Sequence, residues 1–215
     1  GYRMFETLAR RRPRIVDENL YRKSAVVIPL IGEKDEMKVL FEVRSDKLRT
    51  QPGEICFPGG SCEKGERPRQ TALREICEEL QLKKRQIQLI GPADIFISPF
   101  NMMIYPFFGL LKDYKNTYNA SEVGEIFTVP LKFFCSHKPQ TWEQKVRIEP
   151  AEDFPWERVP GGRNYPWRQG RYPVCFYEYE GADGCVRHIW GLTAKIMENA
   201  VSILKAEQMP SEKEL

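Results

Sequence analysis

Three glutamates, Glu75, Glu78 and Glu79, crowd the run TALREICEELQL at 71–82. A helix turning about 100° per residue gathers Leu73, Ile76, Cys77 and Leu80 on one face and the three carboxylates on roughly the opposite one. Like charges at i, i+3 and i+4 repel, so the patch invites a compensating cation. Oxygen-only donors suit magnesium or manganese, which keep waters and also bind substrate phosphates. The same pattern describes a solvated acidic helix face that Arg74, Lys83 or Lys84 would satisfy. Upstream, Gly59 and Gly60 end the segment GEICFPGG, where the backbone can approach a ligand closely or simply turn. Arg44 and Arg49 precede it, and each guanidinium could grip a phosphate or pair with a structural carboxylate.

A second set of chemistry-bearing residues is Cys135, His137, Cys185 and His188, which together hold both histidines and are zinc-ligand types. Their spacing fits no standard zinc pattern and equally describes cysteines packed near polar histidines at strand ends. Phe100, Met102, Met103 and Trp190 could line a groove, although such residues at strand ends, like Phe57, are usually core.

These groups need a scaffold, and 215 residues with 41% hydrophobic, 12% aromatic and 29% charged residues supply a globular one. A net charge of +3 is too small for a whole-protein basic field aimed at nucleic acid, so any anion site is local. The longest apolar runs, 25–31 and 95–111, are broken by Pro, Ser or Asn and fall short of a membrane span. The first residues carry no apolar leader, which makes cytoplasm the default expectation. Lys213-Glu-Leu215 in place of Ser-Lys-Leu speaks against peroxisomal import. Six scattered cysteines without a CxxC read as reduced thiols.

Along the chain, residues 1–23 read as an Arg-rich arm with a short helix through Tyr2, Phe5 and Leu8, and 24–206 as one domain. Apolar runs at 25–31 and 38–44 predict a hairpin, 68–80 a helix opened by Pro68, and 87–97 and 104–111 further strands. A second hairpin follows at 174–179 and 185–190, then a closing helix over 192–204. Residues 135–173 show weak periodicity and read as an elaborated loop region: a lid, a homodimer contact or an ordered surface loop. Residues 207–215 form a polar tail.

Gly60, five residues, Glu66, seven residues, then REICEELQL at 74–82 resembles the box of the Nudix hydrolase superfamily, departing only at Gln81, where the family has glycine. Leu40-Phe-Glu-Val-Arg44-Ser45, then Arg49, Gly53 and FPGG at 57–60 are similar to the signature of the coenzyme A pyrophosphatase branch. AVVIPLI, EVGEIFTVPL and HIWGLTA also resemble that branch, so the likeness runs over most of 24–206. The resemblance implies an α/β/α sandwich with a mixed sheet and a catalytic loop-helix-loop. It implies Glu75, Glu78, Glu79 and the Gly60 carbonyl as ligands of magnesium or manganese. Arg74 paired with Glu66 would orient the carboxylates, and the general base could be Glu122 or Glu125. Arg44, Arg49, Gly59 and Gly60 would meet the substrate. The implied reaction is hydrolysis of coenzyme A or acyl-coenzyme A to 3',5'-ADP and 4'-phosphopantetheine or its acyl form. Alternatives are another diphosphate, such as NADH or ADP-ribose, or a silent nucleotide-binding module.

Overall fold

The computed structural model describes residues 8–33 and 36–208. Tyr2 and Phe5 of the expected first helix, the centre of the first turn and the end of the tail lie outside the described residues.

Eleven strands and three α-helices lie wholly within the described residues, and residues 8–9 are also helical. In chain order they are β1 (Arg22–Ile31), β2 (Lys38–Arg44), β3 (Ile55–Cys56), β4 (Gly59–Ser61), α1 (Pro68–Glu79), β5 (Ile87–Pro92), β6 (Phe96–Ser98), β7 (Met102–Leu111), β8 (Val123–Pro130), α2 (Leu131–Ser136), β9 (Gln140–Val146), β10 (Gly170–Glu180), β11 (Val186–Trp190) and α3 (Gly191–Gln208). Eight strands form one mixed sheet along the path β3-β2-β1-β7-β5, with β8 beside β2, β4 beside β1 and β6 beside β7. Strands β9, β10 and β11 form a separate antiparallel sheet.

The central strand explains why 25–31 is almost uninterruptedly apolar. β1 runs parallel to β7 from Arg22↔Met102 to Leu30↔Leu110, and both faces are covered, as parallel strands require. Ala25 and Val27, with Leu40 of β2, pack under Ala72 and Ile76 of α1 and Leu80 at its C-cap. Ile28, Leu30, Val39 and Phe41 face the other way, onto Ile196, Met197, Ala200 and Val201 of α3 and Tyr177 and Ile189 of the second sheet. That is an α/β/α sandwich.

The expected first hairpin forms only at its turn end, through Leu30↔Val39 and Ile31↔Lys38. Beyond it the space beside β1 is taken by β4, paired at Ser24↔Ser61, Ala25↔Gly60 and Val26↔Gly59. The glycine segment is thereby a strand of the sheet, opposite the helix that carries the glutamates. Residues 135–173 are also not loop throughout. Gln140–Val146 is a strand in register with β10 from Gln140↔Phe176 to Val146↔Gly170. Six of its seven residues are exposed, so it lacks the one-sided burial that gives strands their alternation. β10 accordingly begins at Gly170, four residues before its apolar run suggests.

Gln81 keeps the turn that glycine makes in the family pattern. It adopts φ +52°, and Leu82 N–H donates to the Cys77 carbonyl at 2.9 Å, closing α1 with a left-handed residue. Gln81→Gly is expected to stabilise the chain by up to about 1 kcal/mol, relief of the side-chain strain exceeding glycine's extra unfolded-state entropy. Equilibrium urea unfolding checks it, and a destabilised variant would show that the Gln81 side chain holds the turn.

Candidate active site

Two adjacent glycines set the floor of the site for different reasons. A Cβ on Gly59 would strike the Ala25 carbonyl oxygen and lie 2.7 Å from Val26 Cα, both backbone of β1. A Cβ on Gly60 would fall on the Glu75 carboxylate, 2.9 Å from its Oε2. Glu79, only 7% exposed, turns towards the same loop and accepts the Gly59 N–H at 2.8 Å. Helix α1 thus presents Ile76 and Leu80 to the sheet and, half a turn away, two largely buried carboxylates to the glycines.

Arg74 organises the rim. Its Nε and Nη2 donate to Glu66 Oε1 and Oε2 at 2.9 and 3.0 Å, a bidentate pair. Nη1 donates to Glu75 Oε1 at 2.8 Å and Glu78 Oε2 at 3.3 Å, and Nη2 reaches the Ser61 carbonyl at 3.4 Å. Glu66 is itself fixed by Thr71 Oγ1 at 2.7 Å and by its own turn through Glu63 N–H at 3.1 Å. The Arg74 guanidinium, with those two donors, pulls the Glu66 carboxyl down to about 2. Arg74→Lys keeps the charge and loses the fork. We expect it to lower the rate about 10- to 100-fold, the usual cost of freeing a ligand from its support. Initial rates check this, and a rate within twofold of the parent would exclude a supporting role.

The acidic density extends beyond the helix. Glu42 of β2 is 2% exposed, and its Oε1 has no hydrogen-bond partner. Burial, then Glu79 and Glu122, raise its carboxyl well above the usual range. Burial likewise pushes Glu79 up to about 8, the Gly59 N–H opposing and Glu75 and Glu122 adding to the rise. Glu75 is raised by burial against the pull of Arg74. Glu122 precedes β8, where its backbone carbonyl accepts the Ser45 N–H at 2.9 Å and its Oε1 accepts from Asn119 Nδ2 at 3.0 Å. Arg44 is the cation that offsets Glu42 and Glu79, and its side chain is anchored by donation to the Thr50 carbonyl at 3.2 and 3.3 Å.

Comparison with known proteins bears directly on this arrangement. The NUDIX domain pattern matches residues 20–163. The chain belongs to the Nudix family. Peroxisomal coenzyme A diphosphatase NUDT7 of Mus musculus is 31% identical over 192 residues, covering 88% of this chain and 72% of that protein. Nudix hydrolase 3 of Caenorhabditis elegans is 34% identical over 210 residues, covering 93% and 80%. Nudix hydrolase 15, mitochondrial, of Arabidopsis thaliana is 29% identical over 188 residues, covering 85% of this chain and 58% of that protein. The chain is therefore a Nudix pyrophosphohydrolase by family.

The Nudix site carries the marks of a place for a hard divalent cation. Buried carboxylates repel one another, one of their oxygens is orphaned, and the Gly60 backbone lies against Glu75 where a side chain would fill the space. Among the described residues no group of three His, Cys, Asp or Glu side chains is arranged to hold a metal ion. Arg74 holds Glu75 and Glu78, and the Gly59 N–H holds Glu79. Carboxylate oxygens are the donor type such an ion takes, and Arg74 is the counter-charge that Glu75 and Glu78 have here.

Other expected groups separate from the Nudix site. Glu125 is half-exposed and bound to Arg187 Nη2 at 2.7 Å, away from the cluster that Glu122 joins. Arg49 is exposed, without a hydrogen bond or ion pair among the described residues. Among the described residues Cys135, His137, Cys185 and His188 do not come together as a group that could hold a metal ion. His137 Nδ1 lies 2.9 Å from the Phe133 carbonyl and its ring stacks on Phe133, while His188 faces Glu178 across the outer sheet at 3.6 Å. Phe57 and Met103 are core, whereas Phe100 and Trp190 line a cavity of about 990 Å³ on the β9-β10-β11 sheet, with Trp142 and Phe176. Glu42 is the residue that sequence reasoning missed. The available signal was a charge inside an apolar run, LFEVR, next to the glycine segment.

No described helix is long and apolar enough to cross a membrane.

Proposed function

We propose that this Nudix chain hydrolyses the diphosphate bond of coenzyme A or acyl-coenzyme A, releasing 3',5'-ADP and 4'-phosphopantetheine or its acyl form. The observation that carries the reading is the set of buried, mutually repelling carboxylates, Glu75 and Glu79, built against the Gly59-Gly60 backbone with Arg44 at its edge. The likeness to a protein named as a coenzyme A diphosphatase over most of both chains supports the substrate branch.

Cleaving a phosphoanhydride requires charge neutralisation on two phosphates, an in-line water and a place for its proton. Glu75, Glu78, Glu79 and the Gly60 carbonyl would hold magnesium or manganese. When bound, the ion supplies positive charge beside the phosphates and the attacking water. Arg74 orients Glu75 and Glu78 and keeps Glu66 tied to the helix. Of the two candidate bases we assign Glu122, because it faces the carboxylates while Glu125 is occupied by Arg187. Asn119 holds one Glu122 oxygen, leaving the other to take the water's proton. Arg44 and Arg49 are assigned to the substrate phosphates, the 3'-phosphate included.

The test is product analysis of coenzyme A, NADH and ADP-ribose at equal concentration with magnesium or manganese. Release of 3',5'-ADP from coenzyme A, abolished by chelator, is expected. Preferential cleavage of NADH or ADP-ribose would replace the substrate, and no cleavage of any would leave a nucleotide-binding module.

A further inference from the structure

We propose that Glu42 of β2 is a further carboxylate of the cation-binding set, acting with Glu75, Glu78 and Glu79 from outside the loop and helix that carry them. This rests on reading the site as a divalent-cation site.

Strand geometry sets where Glu42 points. Side chains two apart on a strand share a face. Leu40 packs with Ile76 and Leu80 of α1, whereas the intervening Phe41 packs with Phe57 and Phe127 on the opposite side. Glu42 therefore projects towards α1, the helix of Glu79. Its neighbours across the sheet are Cys56 on β3 and Ile126 on β8, so the carboxyl is walled on both flanks. The charged groups near enough to act on it electrostatically are Glu79 and Glu75 from α1, Glu122 from the approach to β8, and Arg44 from its own strand. Three acids thus oppose one base around a side chain that is 2% exposed and has an oxygen without a partner.

A structural role does not account for this choice of residue. An unpaired buried carboxylate is destabilising, and a protonated one would still need an acceptor for its O–H. Neighbouring β2 positions are apolar, and an apolar side chain at 42 would satisfy the sheet better. A cation resolves the conflict by supplying the missing partner to Glu42 Oε1 and lowering the repulsion from Glu79. The stability given up in the metal-free protein is what a binding residue would be expected to cost.

The experiment is titration of Mn²⁺ alone into the full chain, followed by calorimetry, with thermal melting in chelator and in Mn²⁺. Glu42→Gln is expected to weaken Mn²⁺ affinity about 10- to 100-fold. It is expected to melt about 2 to 4 °C higher than the parent in chelator, and to lose most of the rise in Tm that Mn²⁺ gives the parent. Glu42→Met, of similar length and without polar atoms, should show the same pattern, which separates loss of a ligand from a misfit peculiar to Gln. Glu178→Gln, on the exposed outer strand, should bind as the parent does. Parent-like Mn²⁺ affinity in both Glu42 variants would overturn the role of Glu42 and leave the rest of the site standing. No Mn²⁺ binding by the parent chain would overturn the cation site itself and this inference with it.

Discussion

Glu79→Gln is expected to lower the rate on whichever diphosphate the protein cleaves by about 10²- to 10⁴-fold, because losing a residue assigned to hold the ion costs more than the roughly 10- to 100-fold of losing a supporting partner. It should do so without harm to the fold. The amide oxygen of Gln can still accept the Gly59 N–H, the contact at 2.8 Å that fixes the glycine strand against α1. The substitution makes permanently neutral a group whose ionised form burial, Glu42, Glu75 and Glu122 already oppose. The metal-free variant should therefore melt at or above the parent temperature while losing activity. Initial rates and thermal melting on the same preparation check the two halves together. A rate within threefold of the parent would show that this helix is not the catalytic one; a large drop in Tm would assign Glu79 a structural role.

The neighbouring glycines should separate stability from activity. Gly59→Ala places a methyl against the Ala25 carbonyl and Val26 Cα, neither of which can move without parting β1 from β4. Overpacking against fixed backbone costs about 3 kcal/mol or more, at the upper end of what crowded interiors show. Gly60→Ala meets the far end of the Glu75 side chain, which can swing away. Its stability should stay within about 1 kcal/mol of the parent. Displacing Glu75 also breaks its 2.8 Å contact with Arg74, so the rate should fall about 10- to 100-fold. Urea unfolding and initial rates distinguish the two. The reverse outcome, an inactive but stable Gly59 variant and an unfolded Gly60 variant, would mean that Gly60, and not Gly59, is the glycine packed against the β1 backbone.

What was legible in the sequence follows physical lines. The spacing from Gly60 through Glu66 to Leu82 encodes a local object, a turn and a helix, and local objects carry their geometry in their residue order. Arg74 with Glu66, and the two faces of α1, could be read for that reason. The pairing of β1 with β7 could not, because nothing within either strand names a partner eighty positions away. Strand β9 was hidden by its exposure, since Trp142 and Val146 lie among Gln, Thr, Glu and Lys on both faces. Glu42 was hidden by the opposite circumstance. In an alternating run a glutamate reads as the solvent-facing position, and only the helix across that face makes it interior. Glu122 and Glu125 are near-equivalent in sequence, and Arg187 from β11 tells them apart.

The parallel pairing of β1 with β7 also has a kinetic side. During synthesis β1 waits for residues 102–111 before its central pairing can close, and α1 emerges in that interval with Ile76 and Leu80 uncovered. Closing so long a loop is entropically slow, and unpaired apolar strands invite association with other chains. Gly59–Ser61 shares β1, so the floor of the site sets only when that strand has found its place. Acquisition of Mn²⁺ affinity during refolding should accordingly be a late event, following helix formation instead of accompanying it.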